Sequence, residues 1–375
     1  MTARRDIADA GRVVVKVGSS SLTTDSFDLD ASRIGMLAEV SCAAARQGRE
    51  IVVVTSGAIA ASLGVLGLRR PPTDLATAQA AASVGQQRLI AEYARAFATF
   101  GRSTGQVLLT ADDLMRRAHY RNAQRTLTRL LELDVTPIVN ENDTVATDEI
   151  RFGDNDRLAA LVAHLVHADA LILLSDVPGL LTAPPGTPGS VLVTEVRDPA
   201  DLENVELSPR SRSAVGTGGM VTKLESARLA TAAGVPAVLA DVSALAEVLA
   251  GEERGTLFHV TGKRRPGRLL WLAHAALSRG SLVLDDGAVA AVTTGKKSLL
   301  PAGICSVSGD FVAGDPVDLL SENGLVVARG LVNFDATELP GLLGRSTKDL
   351  AAELGPAYER EVIHRDDLVV MQKGQ

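Results

Sequence analysis

The sequence predicts an α/β protein, a three-layer αβα sandwich around a mostly parallel sheet, followed by a small, mainly-β barrel. Three observations lead there. Up to about residue 260, short β-branched runs alternate with longer Ala- and Leu-rich stretches of helical character. From about residue 281 the texture changes to short alternating runs broken by turn dipeptides. Between the two, residues 261–280 carry a basic cluster, Pro266 and the only tryptophan, Trp271. Strands that alternate with helices build βαβ units, whose sheet is parallel and covered on both faces. The expected organisation is a first domain over 1–260, a linker over 261–280 and a second domain over 281–370.

The expected strands are "RVVVKV" from residue 12, "EIVVVTS" from 50, "GQVLLT" from 105, "VTPIVNE" from 135, "ALILLSD" from 170 and "VPAVLAD" from 235. Each is a near-continuous apolar run of strand length, the pattern of a strand buried on both faces. The helices expected between them lie at 31–47, 73–100 and 154–167. In the tail, Asp286-Gly287, Gly314-Asp315 and Asn323-Gly324 read as hairpin and turn signals spaced as in a small barrel. A late helix is expected over residues Ser346 to Leu354.

Composition narrows the function. The chain has 375 residues, a net charge of -7 and only 3% aromatics, with a pI near 5.5. Phosphate-backbone binding is driven by Lys and Arg and single-strand binding by aromatic stacking, so both properties argue against a nucleic-acid binder. The two cysteines, Cys42 and Cys305, lie far apart. They lack the spacing of a zinc site or a disulfide framework and read as two small buried thiols of a reducing, cytoplasmic protein. The opening "MTARRDIADAG" has no run of signal-peptide type. No stretch reaches the roughly 18 apolar residues of a membrane span.

Four of the expected strands end in reactive groups: Lys16-Val17-Gly18-Ser19, Thr55-Ser56-Gly57, Asn140-Glu141-Asn142-Asp143 and Ser175-Asp176. Ligands gather at the carboxyl ends of parallel strands, so four such ends imply a shared site. Lys16 is the sharpest signal, because an ammonium interrupts an otherwise buried run. "GTGGMVTK", residues 216–223, can turn backbone N–H groups toward an anion and adds Lys223 on the first helical turn. It lacks P-loop spacing, and by itself it also fits a flexible glycine loop with a surface lysine. "NENDTVATDEIRFGDNDRLAALVAH", residues 140–164, gathers Glu141, Asp143, Asp148, Glu149, Asp154 and Asp156. Those carboxylates either hold something positive or form a solvated loop with an N-cap at Asp154 or Asp156.

Ser56 stands at a strand-to-helix turn without the Gly-x-Ser-x-Gly elbow of a serine hydrolase. His164 and His167 lack the companions a zinc site needs and read as core or surface residues. Together these parts point to phosphoryl transfer between two small anions. Lys16 and Lys223 would balance the charge on the transferring group, and Asp156 would fix a lysine or a magnesium ion.

These strings resemble a known family. Residues 12–260 are similar to the amino acid kinase family. Within it, "VVVKVGSSSL", "IVVVTSGAIAAS", "VTPIVNENDTVATDEIRFGDNDRLAALVA", "LLSDVPGLL" and "GTGGMVTKLESARLATAAGVPAVLA" resemble the bacterial glutamate 5-kinases. The tail, from about 281 to 365, resembles a PUA domain. The resemblance implies the amino acid kinase fold and ATP-dependent phosphorylation of the glutamate γ-carboxylate with Mg²⁺, the first step of proline synthesis. It implies Lys16, Lys223 and Asp156 as catalytic residues and Ser56, Asp143 and Asn155 on glutamate. Lys16, Ser175, Asp176, Thr217, Gly218, Gly219, Met220, Val221, Thr222 and Lys223 would contact ATP. Feedback inhibition by proline, a homo-oligomer and a reductase that consumes the product are implied in the same way.

Elementary chemistry agrees with those roles. The α-ammonium of glutamate needs a carboxylate, which Asp143 can supply. Its α-carboxylate needs donors, which Ser56, the neighbouring N–H groups and the Asn155 amide can offer. The chain departs from the family pattern after Ser175-Asp176, where "LLTAPP" has Leu181 in place of a tyrosine and Pro184 in place of an aspartate. Two rival readings are a relative such as acetylglutamate kinase and an RNA-binding regulator acting through the tail. An acetylated amine carries no charge for Asp143 to meet. Residues 281–370 hold 14 Asp plus Glu against 7 Lys plus Arg, the wrong sign for RNA.

Overall fold

The computed structural model describes residues 3–24, 28–110, 113–114, 116–146, 155–203, 205–206, 219–262, 272, 278–295 and 297–371. Most of the expected linker therefore lies outside the described residues. The chain divides into two compact units, Met1–Arg264 and Arg265–Gln375.

The first half of unit one contains α1 (Ala3–Ala8), β1 (Arg12–Val17), α2 (Ala31–Arg46), β2 (Glu50–Val54), α3 (Ala58–Ser62), α4 (Leu75–Ala98) and β3 (Thr104–Leu109). Then come α5 (Arg117–Glu132), β4 (Thr136–Glu141), α6 (Asn155–Leu165), β5 (Ala170–Ser175), β6 (Glu195–Val196), α7 (Met220–Ala232), β7 (Ala237–Asp241), α8 (Leu245–Leu249) and β8 (Thr256–Phe258). The eight strands form one sheet in the order β3-β4-β2-β1-β5-β7-β8-β6. Every pairing in it is parallel except β7 with β8.

Each of the six expected strand runs contains a strand of this sheet. The stretch 117–132 is helical although no expectation covered it: it is mostly polar, but Ala123, Leu127 and Leu131 recur at helical spacing, and Leu127 and Leu131 are buried. Helix α2 starts at Asp30, whose carboxylate accepts hydrogen bonds from the N–H groups of Ser32 and Arg33. Asp74 caps α4 in the same way through Thr77.

Strand periodicity decides which face of the sheet each residue serves. Val13, Val15 and Val17 of β1 pack with Ile34 and Leu37 of α2 and Leu89 and Tyr93 of α4 in one buried cluster. Lys16 has the opposite parity and points to the other face, where α6 and α7 lie. The chain leaves β1 toward β2 on one side and leaves β5 toward β7 on the other. The carboxyl ends of β1 and β5 therefore flank a topological switch point, where open α/β sheets take their ligands.

Unit two contains β9 (Gly280–Leu284), α9 (Asp286–Thr293), β10 (Ile304–Gly309), β11 (Pro316–Ser321), β12 (Val326–Leu331), α10 (Thr347–Leu354) and β13 (Leu368–Val370). Its strands form a separate sheet in the order β10-β9-β11-β12-β13 around Leu282, Leu284, Phe311, Val317, Leu319, Phe334 and Leu350. The expected Asn323-Gly324 turn joins β11 to β12, with Gly324 at φ 77°. Asp286-Gly287 is a correction: it opens α9 instead of a hairpin. Asp285 accepts from the Ala288 N–H and caps a helix there, and the apolar run after it then reads with helical period. Cys305 is a second correction. It is exposed, on the outward parity of β10, and only Cys42 is buried.

One close approach fixes α3 against α4. A Cβ added at Gly85 would stand 1.6 Å from the Ala58 carbonyl oxygen, so no larger residue fits while α3 keeps its place. Gly85→Ala is expected to lower stability by about 3 kcal/mol, measured by denaturant unfolding; wild-type stability would contradict this contact.

Candidate active site

The site is built where β1, β2, β4 and β5 end side by side. Lys16 is 1% exposed, and Asp156, in the first turn of α6, is fully buried. Their side chains form a close ion pair through Asp156 Oδ1. The other carboxylate oxygen, Oδ2, accepts from Lys223 Nζ at 3.0 Å and lies 3.3 Å from Thr222 Oγ1. One carboxylate on α6 thus collects an ammonium from β1 and an ammonium and a hydroxyl from α7. Outside this centre, Arg157 of α6 meets Glu225 of α7 at 2.5 Å.

Helix electrostatics explain why these residue types stand where they do. The N-terminal turn of α6 carries partial positive charge and favours the Asp156 carboxylate. The N-terminal turn of α7 disfavours a cation, yet Lys223 sits there, buried. Asp156 offsets that cost and the burial of Lys16 at once. Two ammoniums against one carboxylate leave the trio with one net positive charge, which suits an anion.

A second network lies beside the first. Asn155 Nδ2 is 2.6 Å from the Thr55 carbonyl oxygen and 2.6 Å from Asn140 Oδ1. Asn140 Nδ2 donates in turn to Gln86 Oε1 of α4 at 2.6 Å. The Thr55 hydroxyl lies 3.0 Å from the hydroxyl of Tyr93, and burial pushes that phenol up from its ordinary pKa. The end of β2 is thereby tied to α4 on one face of the sheet and to α6 on the other.

The expected site residues divide into three groups. Lys16, Asp156, Lys223 and Thr222 meet directly, and Asn155 joins them through its neighbour in sequence. Ser56 and Asp143 are half-buried just beyond β2 and β4, while Ser175 donates to its neighbour Asp176 at 3.1 Å where β5 ends. Gly219 caps α7; Met220 is half-buried and Val221 exposed beside it. Thr217, Gly218, Asp148, Glu149 and Asp154 lie outside the described residues.

Two expectations change in detail. Asp156 is no solvated N-cap, because it is fully buried inside the first turn of α6. Asn155 has no N–H left for a substrate carboxylate, because both already have acceptors in Thr55 and Asn140. Gln86 and Tyr93 went unnoticed in the sequence, where nothing distinguishes a helix residue that faces the neighbouring strand ends.

The amino acid kinase family model matches residues 11–241, and the PUA domain model matches residues 280–354. A protein of Streptomyces coelicolor named glutamate 5-kinase is 61% identical over 98% of this chain and 99% of its own length. Proteins of the same name from Streptomyces avermitilis and Salinispora arenicola are 62% and 61% identical over 99% and 98% of this chain, and over 99% and 100% of their own lengths. Full-length similarity of this order, on a sheet whose strand ends gather Lys16, Asp156 and Lys223, leads to one assignment: the chain belongs to the amino acid kinase family, with a PUA domain after the kinase domain.

Proposed function

We propose that this chain transfers the γ-phosphoryl group of ATP to the side-chain carboxylate of L-glutamate, yielding L-glutamyl 5-phosphate and ADP. The observation that carries the proposal is the buried pairing of Lys16 and Lys223 on Asp156 at the sheet's switch point. The relatives' shared name, glutamate 5-kinase, supplies the substrate.

The acceptor needs no general base. A free carboxylate with a pKa of about 4.3 is ionised at neutral pH, so its oxygen can attack directly. The new bond forms from that oxygen to the γ-phosphorus as the bond to the β,γ-bridging oxygen breaks, and ADP leaves in line. Both reactants are anions, so the chief task is electrostatic. Lys16 and Lys223 offset the charge on the oxygens of the transferring group, and Asp156 holds both ammoniums at fixed positions before substrate arrives. Asp143 takes the α-ammonium of glutamate, Ser56 the α-carboxylate, and Asn155 belongs to the same pocket. Ser175, Asp176 and residues 217–223 take ATP, and the Leu181 and Pro184 segment follows that edge.

Mg²⁺ enters this proposal as a companion of the ATP phosphates. The described residues do not build a cage for it: Asp156 has both oxygens on lysines, and no group of three or more potential metal ligands occurs among them. An octahedral Mg²⁺ that keeps its waters and takes phosphate oxygens needs few protein ligands.

The same reading makes the product a labile acyl phosphate, the first intermediate toward proline, to be consumed by a reductase. Feedback inhibition by proline, a homo-oligomeric cytoplasmic enzyme and a supporting role for the PUA domain complete it. No helix among the described residues is long and apolar enough to cross a membrane.

Incubation with ATP, Mg²⁺, L-glutamate and hydroxylamine is expected to give a coloured hydroxamate, with none from N-acetylglutamate or aspartate. A folded protein that forms no glutamate-dependent hydroxamate would overturn the proposal. Lys223→Ala is expected to lower kcat by about a hundredfold to a thousandfold while the circular dichroism spectrum is retained. Near-normal turnover would remove Lys223 from the phosphoryl site.

A further inference from the structure

Between β5 and β6 the chain forms a small hairpin with arms 180–182 and 191–193, in which Leu181 lies opposite Leu192. The flanking residues Leu180 and Val193 then form a pair that, in a regular antiparallel ladder, exchanges two backbone hydrogen bonds. One is made directly, from the Val193 N–H to the Leu180 carbonyl at 2.8 Å. The place of the other is taken by the hydroxyl of Thr256, at the first position of β8. A backbone N–H can only donate and a backbone carbonyl can only accept. Thr256 Oγ1 therefore accepts from Leu180 at 2.8 Å and donates to the Val193 carbonyl at 2.5 Å.

This inserted hydroxyl is enclosed and firmly mounted. Thr256 and Leu180 are both fully buried. Thr256 pairs with Leu239 of β7, and the buried guanidinium of Arg4 in α1 donates to the carbonyls of Gly255 and Thr194, beside the two ends of the bridge. A Cβ added at Gly179 would stand 2.8 Å from Thr256 Oγ1 and 2.8 Å from Leu192 Cδ1, so the hydroxyl can come this near only because residue 179 has no side chain. Val177, Pro178 and Gly179 are all that separate Asp176 from Leu180, and the proline ring fixes one of the few dihedrals in that span. A shift at Leu180 is therefore passed on to Asp176 at the end of β5.

We propose that Thr256 is a positioning residue for the nucleotide: its hydroxyl holds Leu180 apart from Val193 and against β8, and so sets the segment that follows Ser175 and Asp176. The proposal rests on the reading that ATP binds at the end of β5. Without the hydroxyl, the buried Leu180 N–H keeps a partner only if the arm closes directly on the Val193 carbonyl, and that closure draws the segment off β8. The outgoing arm has its own attachment, from the Leu257 N–H to the Thr194 carbonyl at 2.9 Å, so the incoming arm is the one that moves. The Lys16, Asp156 and Lys223 centre and the ends of β2 and β4 make no contact with this bridge and stay in place.

The test uses the full-length enzyme and the hydroxamate assay, with ADP as a competitor of ATP. Thr256→Val keeps the branched shape and removes the hydroxyl; Thr256→Ser keeps the hydroxyl. Thr256→Val is expected to raise the KM for ATP and the ADP inhibition constant together by about tenfold, the size of one hydrogen bond lost at the nucleotide, with the KM for glutamate within about twofold of wild type. Its melting temperature falls whether or not Thr256 positions the nucleotide, so the split between the two KM values is the deciding readout. Thr256→Ser is expected to hold the ATP KM within about threefold of wild type, because its hydroxyl can make the same two bonds. Gly179→Ala approaches the bridge from the other side, crowding the hydroxyl without removing it, and is expected to give the same nucleotide-selective rise should Thr256→Val not fold.

An ATP KM unaltered in folded Thr256→Val or Gly179→Ala would overturn the proposal and leave Thr256 a purely structural residue. So would an equal rise in the glutamate KM, which would mean a general loosening of the domain, or a serine variant as impaired as the valine one. Wild-type protein that makes no hydroxamate from glutamate would overturn the functional reading, and this inference with it, before any substitution is compared.

Discussion

The structure of the kinase domain depends on how it keeps a charged lysine buried in the middle of its sheet. An isolated ammonium at the position of Lys16 would cost far more than the surrounding valines could offset. Asp156 removes most of that cost, and meeting that need dictates the local architecture. Helix α6 must begin above the end of β1, and its first turn must carry the carboxylate. Helix α7 then brings Lys223 to the second oxygen of the same carboxylate, where its own helix dipole would otherwise oppose a cation. Both ammoniums are thereby held on one carboxylate at the switch point of the sheet.

The rest of the edge is organised around this centre. Parallel strands on either side of a switch point bring the ends of β1, β2, β4 and β5 together, although they are scattered over more than 150 residues of chain. Gly85 lets α3 lie against α4, and this contact positions the Ser56-Gly57-Ala58 turn beyond β2. Thr55 links both faces of the sheet. Its hydroxyl meets Tyr93, and its carbonyl begins the amide chain through Asn155 and Asn140 to Gln86. The charged network and the amide network thus share helix α6, through the adjacent residues Asn155 and Asp156.

Much of this was legible in the amino-acid order. Near-continuous apolar runs identified the central strands, and a lysine inside one of them pointed to the site. The carboxylate that answers Lys16 was harder to single out, because Asp156 is one of six acids in a single stretch and only helix placement separates it from the others. Asp286-Gly287 misled because the pair suits both a hairpin and a helix start, and the cap at Asp285 decides between them. Cys305 carried no signal of its exposure, since parity on a strand depends on a register that a short edge run does not reveal. Gln86 and Tyr93 could not be found at all: each faces the strand ends across a helix-sheet interface, and neither belongs to a local pattern.

The central claim, that one buried carboxylate supports the burial of both lysines, is tested most directly by a double-mutant cycle of unfolding free energies with Asp156→Ala and Lys16→Met. Asp156→Ala alone leaves two ammoniums without their shared partner and should cost about 3–5 kcal/mol. In the Lys16→Met background one of those ammoniums is gone, and the same substitution should cost about 2 kcal/mol less. Costs that add to within about 0.5 kcal/mol would mean that Lys16 and Asp156 are buried independently, and the account would fail.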